Sequence, residues 1–131
     1  MKRYIKYLMA LFIPFTTNAQ TWQWAISAGG DKSDKANDIT IDQFGNGYVG
    51  GYYNRPDVGA AMFGTITTVN NFGKEGFLAK VDKFGNWQWV RCAYGGWDER
   101  VLGVHADTIN NYVYATGTAW EWTSFGNCVD T

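Results

Sequence analysis

The feature that most constrains this chain is a short segment that occurs twice. The tripeptide Trp22-Gln23-Trp24 returns later in the chain as Trp87-Gln88-Trp89, and a glycine pair follows each copy. Self-similarity at a fixed interval is typical of repeat proteins, in which each repeat is one supersecondary unit packed against the next. The sequence therefore predicts tandem copies of one small structural unit.

The repeat extends well beyond the tryptophans. Asp42 corresponds to Asp107 at the same interval that separates the two tripeptides. Two glycine matches, Gly29 with Gly95 and Gly51 with Gly117, are longer by a single position, which is an ordinary slip in a loop. The first unit spans about residues 34–91, and the second spans about residues 98–131 and is incomplete.

Four strands are predicted in the first unit from the alternation of apolar and polar residues. They cover residues 36–42, 47–53, 76–82 and 86–92. Strict alternation bounded by Gly, Asn and Asp is typical of β-strands. In the last of these strands, the alternation predicts that Trp87, Trp89 and Arg91 share one face.

Three turns share the pattern Asp-x-x-Gly-Asn, although the third has Asn110 at the glycine position. An aspartate accepts backbone N–H bonds at the start of a turn, and glycine or asparagine supplies a positive φ. We therefore predict that Asn110 replaces Gly45 in this role. Calcium binding is the alternative, but the pattern lacks the dense run of oxygen ligands of a calcium loop. The remaining turn residues are Asp42, Asn46, Asp82, Gly85, Asn86 and Asp107.

Four antiparallel strands that recur with hairpin turns describe the blades of a β-propeller. We therefore predict an all-β fold with propeller-type, four-stranded antiparallel blades, of which residues 20–131 supply about 1.7. Because closed propellers need four or more blades, the chain is expected to be a fragment of a larger propeller. In this interpretation each tryptophan pair fills the wedge between neighbouring sheets. A small β-sandwich is the alternative fold.

Residues 1–19 have the organisation of a secretory signal peptide. Three basic residues precede an apolar run over residues 7–15, and small polar residues lead to Ala19. This run is well short of the roughly 20 residues that a membrane-spanning helix needs, so a membrane anchor or buried helix is the weaker interpretation. We expect cleavage between Ala19 and Gln20, secretion or display on the outer cell surface, and no transmembrane segment in the mature chain.

Charge and composition exclude some classes of partner. The formal net charge is −1 with both signs scattered, whereas nucleic acids and anionic membranes require a clustered basic face. Aromatic residues make up 18% of the chain and 16 residues are glycine, which favours β-structure. We therefore expect no nucleic-acid partner.

The two cysteines, Cys92 and Cys128, lie in an oxidising compartment if the chain is secreted. The sequence does not give the distance between their Cα atoms, which decides whether they can be bridged. A disulfide and a pair of free buried thiols therefore both remain open.

The motifs of the repeat resemble those of a known family. The segment from Asp42 to Gly51, the Phe63-Gly64-Thr65 element, and EGFLAKVDKFGNWQW at 75–89 are similar to the SBBP-type β-propeller repeat, in the form common in secreted proteins of the Bacteroidetes. The resemblance covers nearly all of residues 21–131. It implies an extracellular or cell-surface scaffold, often joined to adhesion-like modules, without enzymatic activity.

Two departures from the family pattern affect this interpretation. Glu75 stands where the family more often has an aspartate, and the second unit reaches its Phe125-Gly126 element without strands equivalent to 76–82 and 86–92. An open sheet edge is an aggregation liability. The resemblance therefore implies the N-terminal part of a longer protein.

The sequence contains little recognisable catalytic chemistry. It has no nucleophile elbow, zinc-protease motif or P-loop, and its only histidine, His105, has no partner at metal-ligand spacing. Asp31, Asp34 and Asp38 could hold a cation or act as paired carboxylates on a glycan, but they alternate with lysines, which favours a solvated loop. We therefore predict no enzymatic activity, no cofactor and no metal.

Trp120 and Trp122 are the candidate binding residues. They are two positions apart near a loop and so share one face of a strand, where aromatic rings can stack on sugars or anchor a protein. Packing against the rest of the second unit is the alternative. The leading functional hypothesis is a secreted, non-catalytic repeat scaffold that binds an extracellular protein or glycan. The alternative is a glycan-binding or glycan-degrading module that uses exposed Trp and Asp residues.

Overall fold

The computed structural model of the chain describes residues 21–54, 60–68, 73–121 and 123–128. The segment 1–19, the predicted cleavage site at Ala19 and Gln20, and Trp122 lie outside the described residues. Within these ranges every helix or strand assigned is a β-strand. The all-β prediction is therefore confirmed for this part of the chain.

The described residues form ten strands, numbered in chain order. Their bounds are Ala28–Gly29 (β1), Lys35–Ile41 (β2), Gly47–Asn54 (β3), Met62–Phe63 (β4), Ile66–Thr67 (β5), Lys74–Val81 (β6), Trp87–Gly95 (β7), Arg100–Asp107 (β8), Tyr112–Thr118 (β9) and Thr123–Asn127 (β10). The four strands predicted in the first unit correspond to β2, β3, β6 and β7, with bounds that agree within three residues.

The largest sheet has five strands in the order β10-β7-β6-β3-β2, and all of its neighbouring pairs are antiparallel. Alternation along β6 is clear, since Phe77, Ala79 and Val81 are buried while Leu78 and Lys80 are only half-buried. One apolar face along this part of the strand is what packing against the core requires. The period-2 pattern thus identified this strand correctly.

Two smaller sheets complete the architecture, β1-β4-β5 and β8-β9. In each unit, the strand with the phenylalanine of the Phe-Gly element pairs antiparallel with a strand earlier in the chain. The phenylalanine lies opposite an alanine in both cases. Phe63 on β4 pairs with Ala28, and Phe125 on β10 pairs with Ala93. The repeat seen in the sequence is therefore also a repeat of strand pairing.

The hydrophobic core lies where β4 and β5 pack on one face of the five-stranded sheet. Phe63 is at its centre, with its ring 4.9 Å from that of Phe77 and 5.3 Å from that of Trp87. Burying a side chain of this size stabilises the fold by about 1.5–3 kcal/mol. The buried members of the cluster are Tyr53, Ala61, Phe63, Phe77, Ala79, Val90, Cys92 and Cys128.

The β8-β9 hairpin packs on the opposite face of β3 and along β2. Gly50 permits this approach, because a Cβ at that position would lie 2.5 Å from Val101 Cγ1. Polar contacts join the same elements, since the Asn37 side chain donates to the Val101 carbonyl at 2.7 Å. The first and second units are therefore packed directly against each other.

The tryptophans of β7 lie on opposite faces of the sheet, so the prediction of a shared face is wrong for Trp87. It is confirmed for Trp89 and Arg91, whose guanidinium carbon lies 5.4 Å from the Trp89 ring centroid. A bulge shifts the register, so that Trp87 pairs with Val81 and Trp89 with the adjacent Lys80. A bulge inserts one residue and so reverses the alternation beyond it. Trp87 joins the core, whereas the ring of Trp89 lies 6.0 Å from that of Tyr48.

The two tryptophan pairs do not occupy equivalent wedges between sheets. Trp22 is 92% exposed, and Trp24 donates its indole N–H to the Lys83 carbonyl at 2.9 Å. Residues 21–27 form no strand, while β7 lies between β6 and β10. The repeated residues pack differently because only the second copy has strand partners on both sides.

The turns after Asp42 and Asp82 have the predicted chemistry. Oδ1 of Asp42 accepts the backbone N–H groups of Phe44 and Asn46, each at 2.9 Å, and Asp82 makes the same pair of bonds in its turn. Gly45 and Gly85 have φ angles of +83° and +88°. These carboxylates are therefore engaged in turn formation, as the sequence indicated.

Hydrogen bonding holds the pKa of all three turn aspartates below the ordinary value. For Asp82 the main cause is the backbone N–H of Asn86, and for Asp107 it is the side chain of Asn110. Partial burial raises the pKa of Asp42, but the bonds from Asn46, Phe44 and Tyr48 outweigh that effect. The turns therefore favour the ionised carboxylates.

The third turn differs from the prediction, because Asn111 and not Asn110 has the positive φ, at +58°. Asn110 instead donates its side-chain amide to Asp107 Oδ2 at 2.9 Å, which is the role of Asn46 in the first turn. The strand pairing also differs, because β8 and β9 pair as far as Asp107 with Tyr112, whereas the pairing of β2 and β3 ends at Ile41 with Gly47. The order of the two roles is therefore reversed, and Asn110 does not replace Gly45.

We expect Asn110→Gly to destabilise the fold and Asn111→Gly to leave it nearly unchanged. The first substitution removes the side-chain hydrogen bond to Asp107, or roughly 1 kcal/mol. The second removes a non-glycine residue from a left-handed conformation, which offsets the entropic cost of glycine to within about 0.5 kcal/mol. Urea unfolding of the two variants gives the comparison. Equal stabilities, or the reverse order, would contradict the assignment of the roles.

Candidate functional site

An open cleft of about 630 Å³ lies beside the end of β9 and has two tryptophans in its wall. Trp97 is 64% exposed and Trp120 is 61% exposed. We call this opening the aromatic cleft. Its lining residues are Trp97, Asp98, Arg100, Thr118, Trp120 and Glu121.

The first wall of the aromatic cleft is fastened to the start of β6. The Trp97 carbonyl accepts the backbone N–H of Lys74 at 3.1 Å, and the N–H of Glu99 donates to the Lys74 carbonyl at 2.9 Å. These two bonds fix the backbone on both sides of Asp98. Trp97 is therefore carried on a positioned segment, although it lies outside the strands.

The second wall is held by a buried carboxylate. The N–H of Trp120 donates to Glu99 Oε1 at 3.5 Å, and Glu99 is fully buried. The next residue, Glu121, has a φ of +54°, which is uncommon for a residue other than glycine. Such conformations cluster at functional sites, where the surrounding structure supports them.

The polar side of the cleft is an ion-pair network around Asp98. Its Oδ2 accepts Lys74 Nζ at 3.0 Å and an Arg100 guanidinium nitrogen at 3.1 Å. The hydrogen bond from Lys74, with a further one from Arg100, holds the pKa of Asp98 below its ordinary value. Both cations also lie over the ring of Tyr52, at 5.8 and 5.2 Å from its centroid. The network keeps the ionised groups of the cleft wall in fixed positions.

The first unit has an opening at the equivalent place, but its walls are polar. This smaller cleft, of about 400 Å³, is lined by Lys32, Ser33, Asn54, Gly73, Lys74 and Asp98. Lys32 and Ser33 precede Trp97 and Asp98 by the interval of the tryptophan repeat, and Asn54 precedes Trp120 by that interval and a single position more. Three equivalent positions of the repeat therefore line an opening in each unit, with different side chains.

A hydrogen bond supports both clefts in the same way. The N–H of Asn54 donates to Asp34 Oδ1 at 3.0 Å, just as the N–H of Trp120 donates to Glu99. Asp34 also accepts the N–H of Gly30 at 2.7 Å. Asp34 and Glu99 are therefore equivalent residues that anchor the end of β3 and the end of β9.

Two buried carboxylates lie behind the aromatic cleft. Glu75 is 1% exposed, and neither of its carboxylate oxygens has a hydrogen-bond partner among the described residues. Burial, and after it the negative charge of Glu99, raises the pKa of Glu75 to about 8. Since Glu75 and Glu99 are shielded from solvent, we assign them no direct contact with a ligand.

Two of the three aspartates that were candidates for binding a cation or a glycan, Asp34 and Asp38, have structural roles in this fold. Asp38 accepts the N–H of Val104 at 2.9 Å and so links β2 to β8. Within the ranges that the structure describes, no group of three His, Cys, Asp or Glu residues could hold a metal ion. Asp34 and Asp38 thus link backbone segments through hydrogen bonds. They do not form a cation or glycan site together with the lysine-rich loop.

The structure joins Cys92 and Cys128 in a disulfide, with 5.1 Å between their Cα atoms. Cys92 pairs with Gly126 across the sheet, and Cys128 follows β10 directly. The hydroxyl of Tyr53 lies 3.4 Å from Cys92 Sγ. The disulfide therefore ties the edge strand β10 to the core.

A second opening, of about 450 Å³, lies between residues 24–39 and the core face of the sheet. Its lining is largely apolar and includes Trp24, Phe77 and Trp87. Trp87 belongs to the core cluster. We interpret this opening as a packing groove of the sheet.

Sequence reasoning identified Trp120 and missed Trp97, Glu75 and Glu99 as contributors. Alignment of the two units position by position contains the missing signal, because Lys32 becomes Trp97 while the surrounding repeat is kept. Trp122 lies outside the described residues, so its predicted place beside Trp120 stays a prediction. The burial of Glu75 depends on tertiary packing that no local pattern records.

No protein family, curated protein or solved structure matches this chain. None of the described residues form a helix with the length and apolarity that crossing a bilayer requires.

Proposed function

We propose that the chain is part of a secreted, non-catalytic scaffold of the β-propeller type, related to SBBP repeats, which binds an extracellular protein or glycan through its clefts. The observation that carries this proposal is the recurrence of one cleft, with its supporting hydrogen bond, in both units. A scaffold that repeats its binding position while varying the side chains is suited to recognition.

The contact between the units supports an arrangement of blades. Strands β2 and β8 occupy equivalent positions in the repeat and lie beside each other, with Asp38 bonded to Val104 and the Thr40 hydroxyl 3.3 Å from the Ala106 nitrogen. In a propeller the equivalent strands of successive blades meet around a central axis. Side-by-side packing of β2 and β8 is consistent with two successive blades.

The open strand edges also support the proposal. Strand β3 has β6 on its outer side, whereas its equivalent β9 pairs only with β8 among the described residues. An exposed edge is a template for pairing with another strand. We propose that a further strand of the β6 type completes the second blade.

The use of the acidic residues supports a non-catalytic role. Asp34, Asp38 and Asp42 each accept backbone N–H groups at a strand or turn. Carboxylates that support the backbone in this way are not free to act as paired acid and base on a substrate. This use of the acids favours binding over glycan degradation.

The reading frame after codon 131 tests the propeller proposal. Further units should follow at intervals of about 65 residues, each with the Trp-x-Trp and Gly-Gly elements, and they should supply the strand that pairs with β9. A stop codon at that point, together with a monomeric chain in solution, would contradict the proposal.

Export can be tested separately. A fusion of residues 1–30 to a reporter enzyme that is active only after export should give activity outside the cytoplasm, and a fusion of residues 20–30 should not. The disulfide is compatible with the oxidising compartments to which secreted proteins are delivered. Equal activity of the two fusions would count against secretion.

A further inference from the structure

We propose that the aromatic cleft is a carbohydrate-binding site for neutral oligosaccharides, with Trp97 and Trp120 as the stacking residues. This inference rests on the scaffold function proposed above and names its partner class. The site is formed by the six lining residues defined above, of which sequence patterns had indicated only Trp120.

The first argument is that the repeat does not require these tryptophans. At the equivalent positions of the first unit the same backbone carries Lys32 and Asn54. The supporting hydrogen bond to the buried or half-buried acid is kept in both units. The aromatic cleft therefore carries tryptophan at two positions where the backbone of the repeat also accepts other residues.

The second argument is that the cleft is not a consequence of the open edge of β9. In the first unit the outer strand β6 is in place, and its first residue, Lys74, lines the smaller cleft together with Asp98. An opening of about 400 Å³ persists there. The equivalent opening in the second unit should therefore persist when β9 gains a neighbour.

The third argument is the chemistry of the lining. Two exposed indoles offer flat apolar faces on which the C–H groups of a pyranose ring can stack. Asp98, Arg100 and Glu121 add planar donors and acceptors, and Thr118 adds a hydroxyl. This combination of flat apolar surface and fixed polar groups fits a ring with an apolar face and hydroxyls at its edge.

Charge favours a neutral ligand. Asp98 and Glu121 outnumber Arg100 in the lining, and Asp98 already pairs with Arg100 and Lys74. With Lys74 included, the charges around the cleft balance, and an anionic sugar would have to compete with Asp98 for cations that are already paired. Uronate and sulfated chains are therefore expected to bind more weakly than neutral ones.

The position of the cleft favours a saccharide over an extended peptide. The cleft lies where β9 ends, and the N–H of Trp120 is already donated to Glu99. Addition of a peptide strand needs a run of unpaired backbone donors and acceptors, and such a run lies along residues 112–118, the edge of β9 that no other described strand covers. A peptide should thus add to that edge and leave the aromatic cleft open.

The test measures binding of cellohexaose, laminarihexaose and chitohexaose to the full chain by titration calorimetry. The key variant is Trp97→Lys/Trp120→Asn, which restores the residues of the first unit at both positions and so preserves the repeat. We expect at least one of the neutral hexaoses to bind the wild type, and the affinity of the variant to be at least about tenfold lower. Trp22→Ala is the matched control, since Trp22 is 92% exposed and lies outside the cleft.

The reverse exchange gives a second, independent result. Lys32→Trp/Asn54→Trp carries the aromatic pair to the smaller cleft and should add a second binding site to the wild-type chain. If a variant fails to fold, an NMR titration of the wild type decides the question, because cellohexaose or its analogues should shift the indole N–H signals of Trp97 and Trp120 and leave that of Trp22 unchanged.

Three outcomes would overturn the inference. These are no binding of any neutral hexaose at millimolar concentration, unchanged affinity in a folded Trp97→Lys/Trp120→Asn variant, and tighter binding of a polyuronate or a peptide at the cleft. None of these outcomes concerns the reading frame or export. The scaffold proposal is therefore tested separately from the carbohydrate-binding proposal.

Discussion

Loss of the Cys92–Cys128 disulfide is expected to lower the free energy of unfolding by about 4 kcal/mol. The bridge joins residues 36 positions apart, and closing a loop of that length restricts the unfolded chain by about this amount in the chain-entropy description. For a domain of this size the midpoint of thermal unfolding should fall by roughly 15 °C or more. The effect is large because strand β10 lies at the edge of the sheet, and its pairing with β7 is reinforced by the bridge.

Thermal unfolding of the Cys92→Ala/Cys128→Ala variant measures this effect. Wild-type protein treated with a phosphine reductant should unfold near the temperature of the variant, and the variant itself should be insensitive to the reductant. Unchanged stability of the reduced wild type would mean that β10 is held by its strand pairing alone.

Stability of the wild type is expected to fall as the pH rises from about 5 to 8, because Glu75 is buried. Its folded pKa is about 8 against an ordinary value of 4.5, so the folded state retains a proton that the unfolded state releases in this range. The stability associated with this proton is complete below pH 4.5, is lost progressively as the pH rises, and is gone above about pH 8. The total change is on the order of 5 kcal/mol.

The turn aspartates and Asp98 act in the opposite direction at lower pH. Their pKa values are held below the ordinary value of 3.8, so their contribution is present above that pH and is lost as the pH falls through their folded pKa values. The two effects together predict a maximum of stability at mildly acidic pH, near pH 5.

Urea unfolding between pH 4 and 9 tests the role of Glu75. Glu75→Gln should remove most of the slope between pH 5 and 8 and should be more stable than the wild type at pH 8. Glu99→Gln is the matched control, since it removes the neighbouring charge but leaves the larger cause, burial, in place. A wild-type profile that is flat over this range, or a slope that Glu75→Gln retains, would contradict a protonated Glu75.

Most of the strands could be predicted from the sequence because their alternation is local. Strand β6 shows this best, since Phe77, Ala79 and Val81 are all buried on one side. The turns after Asp42 and Asp82 were equally predictable, because an aspartate, a glycine and an asparagine in fixed order determine their hydrogen bonds. Propeller closure stays a prediction that the described sheets do not test.

The predictions that were wrong depend on the register between neighbouring strands. A shift of one residue there changes the face or the role of a side chain. Alternation along β7 predicted one face for Trp87 and Trp89, but the bulge opposite Lys80 and Val81 separates them. In the third turn the strand pairing extends to Asp107 with Tyr112, and the positive φ is at Asn111. A local pattern does not contain the register of the neighbouring strand, which sets both results.

The candidate site was predictable only in part, for a related reason. Trp120 stood out as an aromatic residue near a loop, whereas Trp97 and the anchoring Glu99 come together with it only through bonds to Lys74 and across the end of β9. The equivalence of Lys32 with Trp97 and of Asn54 with Trp120 was present in the repeat. Only the tertiary structure shows that both pairs line a cleft.

The sequence by itself determined the repeat, the strands of the first unit and the aspartate turns, because each depends on interactions between residues close along the chain. The tertiary structure alone decided the pairing of β10 with β7, the disulfide, the burial of Glu75 and the assembly of the aromatic cleft. These features join residues that are far apart in the sequence. Their free energy comes from burial and from contacts between units, and no short segment contains both partners.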